Sequence, residues 1–337
     1  MGRIWEAQPR RIVIFRALKL GDMLCAVPAF RAIRSHFAGA EIVLVALPWA
    51  RSLVARYRPY LDGFREFPGY PGLPEREPDL ERLARFFDGL RGDRFDLAIQ
   101  LHGSGAISNE VTSRLGARTT AGFYEPGRFC PNPTTFYPYP SRGLELRRLL
   151  RLLEHLGVPP RGEYLEFPIA DEERALVRRL LQEVGIGACR YVCVHGGASV
   201  AERRWPVGRF AMVADGLAKL GYAVVLTGSQ DDAEVNAAIA RSMRFPAVDL
   251  AGKTPLGVLA ALLDEAQLLV CNDTGVSHVA DARCVPSVVI STGDNPARWA
   301  PVDRLRHRVL CHESGVTPAE VLAEAEDLLR SQFAGTA

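Results

Sequence analysis

Apolar residues in this chain fall into short continuous blocks separated by stretches of helical spacing. RIVIFRAL (11–18), EIVLVAL (41–47) and DLAIQLH (96–102) read as strands covered on both faces, because a run of four to eight large or β-branched residues bounded by polar ones suits a buried parallel strand. Residues 23–37 and 79–91 carry helical periodicity, with Pro28 marking a kink or late first turn of the earlier one. A second series follows: YVCVHGG (191–197), YAVVLTGS (222–229), LLVCNDTG (268–275) and VPSVVIST (285–292) as strands, with helices across 171–184, 207–220, 231–243 and 276–283. Asp171 reads as an N-cap, Thr254-Pro255 as an N-cap plus first-turn proline for a helix through Leu263, and Thr317 to Glu320 as a capping box opening the last helix. Strands that alternate with helices in this way predict a parallel α/β architecture.

Each half opens with a strand that runs into a glycine loop and a helix. A length of 337 residues allows about two domains at ~150 residues each. The junction is expected in the proline-rich, aperiodic segment 124–142 or at the turn near 157–168. A second irregular stretch, 57–78, holds five prolines with Tyr57, Tyr60, Phe64, Phe67 and Tyr70. It reads either as a binding loop or as a cover for the core.

The composition, 48% hydrophobic and 24% charged, excludes a globally disordered chain. No stretch approaches the ~18 apolar residues of a membrane span, and the polar opening MGRIWEAQPRR gives no expectation of a signal peptide. Seven cysteines without a CxxC pair read as reduced thiols in a cytoplasmic protein, not as a zinc site or a disulfide scaffold. A net charge of +2 gives no argument for nucleic acid. Its distribution is uneven: residues 1–60 hold ten Lys/Arg against three acids, and the remainder holds 31 against 36. That bias points to an anionic partner or to arginine-rich codon usage, since the chain has only three lysines.

Four constellations carry candidate chemistry. Leu20-Gly21-Asp22 follows the first strand, where a carboxylate can serve as general base or cap the next helix. No GxGxxG accompanies it, which weakens a dinucleotide reading. His195-Gly196-Gly197-Ala198-Ser199 precedes Arg203-Arg204-Trp205-Pro206, joining a glycine turn to guanidinium groups that suit a diphosphate or simply face solvent. Asn272-Asp273-Thr274-Gly275-Val276-Ser277-His278 ends a strand and opens a helix. Its N-terminal N–H groups and the hydroxyls of Thr274 and Ser277 could receive phosphate, while His278 either donates there or sits in the core. Gly228-Ser229-Gln230-Asp231-Asp232 places an acid where ribose hydroxyls could bind or a helix could be capped. With no DxD and no His/Cys cluster of ligand spacing, a catalytic metal is not expected.

Taken in order, these motifs resemble glycosyltransferase family 9, the heptosyltransferases of the lipopolysaccharide inner core. Leu20-Gly21-Asp22 with Pro28, Arg203-Arg204-Trp205-Pro206, Gly252-Lys253-Thr254, the Asn272–His278 segment and Asn295-Pro296-Ala297-Arg298-Trp299 carry the match over nearly the whole chain. The resemblance implies a GT-B fold, two Rossmann-like domains with parallel sheets facing across a cleft. Residues 1–160 would bind the acceptor, 161–316 the nucleotide-sugar, and 317–337 would cross back to the first domain. It implies an inverting, metal-independent enzyme without a resident cofactor. Such an enzyme moves a heptose from a nucleotide diphosphate, typically ADP-heptose, to a hydroxyl of an anionic glycan or glycolipid. By match of position, Asp22 is the base, Arg203 or Arg204 contacts phosphate, and Asp273, Thr274, Gly275, Ser277 and His278 form the diphosphate loop. Asp232 is the acid near the nucleoside, and Arg16 and Lys19 face the acceptor. The implied partners are donor and acceptor, with peripheral contact at the inner membrane surface and no nucleic acid. The sequence departs from the family at Ala17 and Lys19, where small hydroxyl residues are common, and in carrying arginine for the phosphate-contacting lysine. A nucleotide-sugar epimerase on the same fold, a nicotinamide dehydrogenase and a non-catalytic nucleotide-binding module are the competing classes; a binding module should tolerate loss of Asp22.

Overall fold

The computed structural model describes residues 7–187, 189–293, 295–312 and 315–334. The chain separates into two units, Met1–Tyr164 and Leu165–Ala337. In the first, strands β1 (Arg11–Phe15), β2 (Glu41–Ala46), β3 (Gly63–Glu66), β4 (Leu97–Gln100), β5 (Thr119–Tyr124) and β6 (Phe136–Pro138) form one parallel sheet in the order β3-β2-β1-β4-β5-β6. Helices α1 (Leu20–Cys25), α2 (Val27–His36), α3 (Ala50–Arg56), α4 (Leu80–Gly92), α5 (Ser108–Ser113) and α6 (Glu145–His155) provide its connections. Ile12, Val13, Ile14 and Phe15 have no exposed surface, as expected for a strand with helices packed over both faces of its sheet.

Two sequence expectations change here. The helix foreseen over 23–37 is two helices that meet at Ala26, and Pro28 lies in the first turn of α2, where its missing N–H has no intrahelical acceptor to lose. The proline-rich segment 124–142 is not the junction. It contributes β6, the edge strand of the first sheet, where Pro138 costs no ladder bond on the open side. In the other irregular stretch Tyr57, Phe67 and Tyr70 are buried, and Phe67 packs edge-on against Phe15 with centroids 5.0 Å apart, so these aromatics cover the core.

The second unit contains α7 (Asp171–Glu183), β7 (Tyr191–His195), α8 (Val207–Lys219), β8 (Ala223–Leu226), α9 (Ala233–Ser242), β9 (Ala247–Asp249), α10 (Leu256–Glu265), β10 (Leu269–Asn272), α11 (Gly275–Ala282), β11 (Ser287–Ile290), α12 (Pro296–Trp299), β12 (His307–Leu310) and α13 (Pro318–Ala334). Its parallel sheet runs β12-β11-β10-β7-β8-β9. Counted from each unit's own first strand, this is the strand order of the first sheet. Val194, Phe210, Leu226, Val270 and Ile290 form the centre of its core, which Val321, Ala325, Leu328 and Leu329 of α13 complete. The last helix thus buries its apolar face within the second unit. A methyl group at Gly216 of α8 would lie 2.7 Å from Leu322, so the glycine lets α13 approach closely.

The caps differ in detail. Ala170, not Asp171, is the N-cap of α7, and its N–H donates to Glu173 at 2.9 Å. Pro255 is the N-cap of α10, leaving Thr254 one residue outside. Thr317 and Glu320 form the expected reciprocal box, at 2.8 and 3.3 Å. Cys25, Cys193 and Cys271 are buried, while Cys189, Cys284 and Cys311 are exposed. Among the described residues no helix is long and apolar enough to cross a membrane.

Candidate active site

In an open parallel sheet the loops beyond the carboxyl ends of the strands line the ligand crevice, so each unit is built up from that edge. In the first unit β1 ends at Phe15 and the chain passes through Arg16 and Ala17 into α1. Lys19 is the N-cap, exposed at the surface, and Asp22 lies in the first turn. Asp22 is therefore not the cap of this helix. Its side chain retains 24% exposure.

Arg16 has no exposed surface at all. Its Nε and Nη2 donate to the Asp22 carbonyl at 3.0 and 2.7 Å, and its Nη1 donates to the Leu101 carbonyl. Nη2 also lies 3.4 Å from Glu145 Oε1 and 4.0 Å from Asp22 Oδ1. Glu145, equally buried, lies 3.8 Å from Arg148 as well. The fork of Arg16 thus clamps the turn that carries Asp22 to the end of β4 and the start of α6. Arg16, expected to face the acceptor, is fully buried, and its hydrogen bonds hold the turn that carries Asp22.

A neighbouring pair was not legible in sequence. His102, just beyond β4, accepts the Ala17 N–H at Nδ1 (3.2 Å), which leaves its proton on Nε2, 3.4 Å from Glu75 Oε1. The ring stacks on Phe15 with centroids 4.9 Å apart. Burial pushes the Glu75 carboxyl up, but its hydrogen bond with His102 and the charge of Lys19 bring it below the ordinary value. These side chains come from a loop and a strand end 27 residues apart, and no local motif announces them.

The basic bias of residues 1–60 is met in part inside the unit. Arg11 bonds Glu41 and lies near Asp93, Arg34 pairs with Asp62, and Arg51 reaches Glu66. Arg31 donates to the carbonyls of Arg161 and Tyr164 at 3.0 Å and lies over the Tyr164 ring. A net charge counted along a sequence window is not a surface field.

In the second unit the predicted residues gather at one edge, around Asn272. This side chain ends β10 with no exposed surface. Its Nδ2 donates to the carbonyls of Gly196 (2.9 Å) and Gly197 (3.2 Å), and its Oδ1 accepts the Trp205 N–H (2.9 Å). One amide therefore joins the turn after β7, the Arg-Trp-Pro segment and the start of the Asp273–His278 segment. Trp205 is buried and donates Nε1 to the Val316 carbonyl at 3.1 Å, which fixes the two arginines before it. Arg204, half-buried, donates to the Ala198 carbonyl at 3.3 and 3.2 Å; Arg203 is exposed on a short turn at 201–203.

Thr274 is the N-cap of α11, accepting the Val276 N–H at Oγ1, and Gly275 is its first residue. Ser277 is buried and its hydroxyl donates to the Thr274 carbonyl at 2.7 Å, so it holds the turn from inside. His278 is 4% exposed, and burial lowers its pKa to about 4, leaving a neutral imidazole packed edge-on to Trp299. Asp273 is half-buried, its N–H bonded to Ile290. Asp232 accepts both the N–H and the hydroxyl of Ser229, at 2.9 and 2.7 Å. A Cβ at Gly197 would lie 2.2 Å from Asp232 Oδ1, and one at Gly228 would lie 2.7 Å from its Cβ. Asp232 is thus a buried turn-closing acid, and the two glycines exist to let it in. Among the described residues no group of three or more His, Cys, Asp or Glu is arranged to hold a metal ion.

The sequence profile described as glycosyltransferase family 9 (heptosyltransferase) matches residues 83–324, well over half of the chain. The chain belongs to glycosyltransferase family 9. It is accordingly a glycosyltransferase. Lipopolysaccharide heptosyltransferase 3 of Escherichia coli is 26% identical over 345 aligned positions, covering 94% of this chain and 98% of that one. Lipooligosaccharide heptosyltransferase 2 of Haemophilus influenzae is 25% identical, covering 86% of each. Among solved structures, a family 9 glycosyltransferase from Veillonella parvula superposes with a TM-score of 0.80 at 24% identity, over 96% of this chain and 98% of that one. The ADP-heptose lipopolysaccharide heptosyltransferase II of E. coli gives 0.77 at 22%, over 96% and 99%. These likenesses establish the expected GT-B fold class.

Proposed function

We propose that this family 9 enzyme transfers a heptose from ADP-heptose to a hydroxyl of a lipopolysaccharide core acceptor, inverting the anomeric centre without a metal. The names of the relatives support heptose transfer to lipopolysaccharide, and the solved E. coli heptosyltransferase II supports ADP-heptose as the donor. The observation that carries the chemistry is Asp22, part-exposed at the carboxyl edge of the first sheet and clamped from behind by a buried arginine.

In this reading Asp22 takes the proton of the acceptor hydroxyl as its oxygen attacks C1 of the donor sugar, and the C1–O bond to the diphosphate breaks. The sugar passes through an oxocarbenium-like state, as in other glycosyl chemistry. Negative charge gathers on the departing diphosphate. Donors fixed before the reaction stabilise that charge more than they stabilise the ground state. Arg203, Arg204 and the N–H groups opening α11 are the donors assigned to it, held in place by Asn272 and Trp205. Thr274 and Gly275 shape that turn, Asp273 precedes it, and Ser277 and His278 support it from within. Lys19 faces the acceptor, and a glycolipid acceptor would bring the enzyme to the cytoplasmic face of the inner membrane.

The test is incubation with ADP-heptose and deacylated core oligosaccharide, with the product read by mass and its new linkage by NMR. The expected result is one added heptose of inverted configuration at a rate unchanged by excess chelator. ADP binding without any transfer, or a rate abolished by the chelator, would overturn the reading.

A further inference from the structure

A cavity of about 520 Å³ opens in the first unit, well away from Asp22 in sequence. Its walls come from the loop after β4, the start of α5 and the turn after β5, and they include Gly105, Asn109, Tyr124, Glu125, Arg128 and Phe129. Phe129 is 84% exposed, an unusual state for so large an apolar ring. Gly105 has φ +95°, and a Cβ there would strike the Phe123 carbonyl at 2.2 Å and Asn109 at 2.5 Å. Only glycine fits this floor. Asn109 donates Nδ2 to the Phe123 carbonyl at 2.8 Å, and its Oδ1 has no hydrogen-bond partner. Glu125 accepts from Ser104 at 2.8 Å and stands 4.0 Å from Arg128, whose side chain is largely exposed.

We infer that this cavity is a saccharide subsite for the acceptor, an inference that rests on the glycosyl-transfer reading above. The chemistry of the walls selects the occupant. A carboxylate and a guanidinium, Glu125 and Arg128, together offer acceptors and donors, which matches sugar hydroxyls that do both. An inorganic phosphate, anionic at neutral pH, would be repelled by Glu125, so the set suits a neutral hydroxyl-bearing ring better than an inorganic anion. Tyr124 and Phe129 add ring faces against which the C–H face of a pyranose can lie. Position selects the role. Because β1, β4 and β5 are adjacent and parallel, the loop after β5 opens on the same edge as the turn bearing Asp22. Two strand spacings separate them, roughly 10 Å. The ring bound here is therefore a neighbour of the sugar that reacts, and the acceptor spans more than one sugar unit.

The test uses the full chain and the double variant Arg128→Ala/Phe129→Ala, both changes at exposed side chains. The probe is deacylated lipopolysaccharide core oligosaccharide, followed by saturation-transfer NMR, with ADP binding measured separately by calorimetry. The expected result is saturation transfer to the oligosaccharide in the parent and a loss of about tenfold in its affinity in the variant, with ADP affinity equal in the two. Equal transfer in parent and variant, or displacement of the oligosaccharide by inorganic phosphate at equimolar concentration, overturns the subsite. Failure of ADP to bind the parent would instead strike the glycosyl-transfer reading and leave the NMR result to decide the subsite alone.

Discussion

The two units share one strand order and differ almost entirely in what they place at the carboxyl edge of it. The first unit holds its edge with charge: a fully buried arginine on three carbonyl or carboxylate partners, and a histidine between a backbone N–H and Glu75. The second holds its edge with a neutral amide and close-packed glycines, Asn272 with Gly196, Gly197 and Gly228. The consequence is opposite in sign. In the first unit the clamped turn presents a carboxylate; in the second, the knitted turns carry backbone N–H groups and two arginines. Topology decides where a site lies, and the residues at the strand ends decide its chemistry. Glycosyl transfer needs both signs, a base for the attacking hydroxyl and fixed donors for the leaving diphosphate.

The sharpest way to break this contrast is to neutralise the carboxylate. Asp22→Asn keeps the size of the side chain, and Lys19 remains the N-cap, so melting temperature should hold. General base catalysis contributes ~10²–10⁴-fold, and transfer should fall by that factor with donor affinity nearly unchanged. Transfer within a few-fold of the parent would mean that the base lies elsewhere.

The next largest effect tests the clamp itself. Arg16→Met removes the principal counter-charge of buried Glu145, and breaking a buried pair by removing one partner typically costs about 3–5 kcal/mol. Calorimetry should show the first unit melting earlier. Arg16→Lys should not rescue it, because a single ammonium cannot serve the Asp22 carbonyl, the Leu101 carbonyl and Glu145 together. Full recovery by lysine would reduce the clamp to a simple charge pair.

These two positions also show what the sequence can and cannot announce. The α/β alternation, the central strands other than β5 and the clustering of Arg204, Thr274 and Gly275 near one sheet edge were legible, because strand blocks and strand-end motifs are local in sequence. The role of Arg16 was not, since its partners Leu101 and Glu145 lie 85 and 129 residues away. The same distance hid the purpose of Asn272, which reaches back 76 residues to Gly196. Edge strands β3, β6, β9 and β12 were missed for a different reason. Strands of three or four residues, two of them in proline-rich stretches, carry too little periodicity to separate from loop. For Asp232 the sequence left a ligand contact and a helix cap equally open, and the bonds that build it and Ser277 into their turns are visible only in the structure.

A smaller effect sharpens the second unit's half of the contrast. Changing Arg204 to Ala should weaken ADP binding by ~1.5–3 kcal/mol, the worth of a hydrogen bond to a charged group, and leave adenosine nearly untouched. Because Arg204 is half-buried against the Ala198 carbonyl, its geometry is fixed before the ligand arrives. Arg203→Ala, at an exposed position, should do less. Calorimetry with both ligands separates the outcomes, and equal losses for ADP and adenosine would place Arg204 away from the phosphates.

The smallest effect concerns a charge that the second unit suppresses below its own edge. Asp281 lies on α11, 3.5 Å from His307 Nε2, whose Nδ1 is 2.8 Å from Ser287 Oγ. Burial, with the charge of Asp303 adding to it, raises the Asp281 carboxyl to about 7, while burial lowers His307 to about 4. Both groups are therefore neutral through the mildly acidic range. A carboxyl raised above its unfolded value binds its proton more tightly in the folded state, so its contribution to stability is largest at low pH and is lost as pH rises from about 4 through about 7. The lowered histidine has the opposite slope, but it is present in parent and variant alike and cancels between them. Asp281→Asn should accordingly come closest to the parent near pH 3.5, where the aspartate is neutral in the folded and unfolded states alike, and exceed it near pH 8, where the parent must bury a carboxylate. The gain should be at least ~1 kcal/mol, the worth of one pKa unit. Melting curves of both proteins at the two pH values measure it, and a stability offset that stays constant across that range would mean Asp281 is ionised in the folded protein throughout.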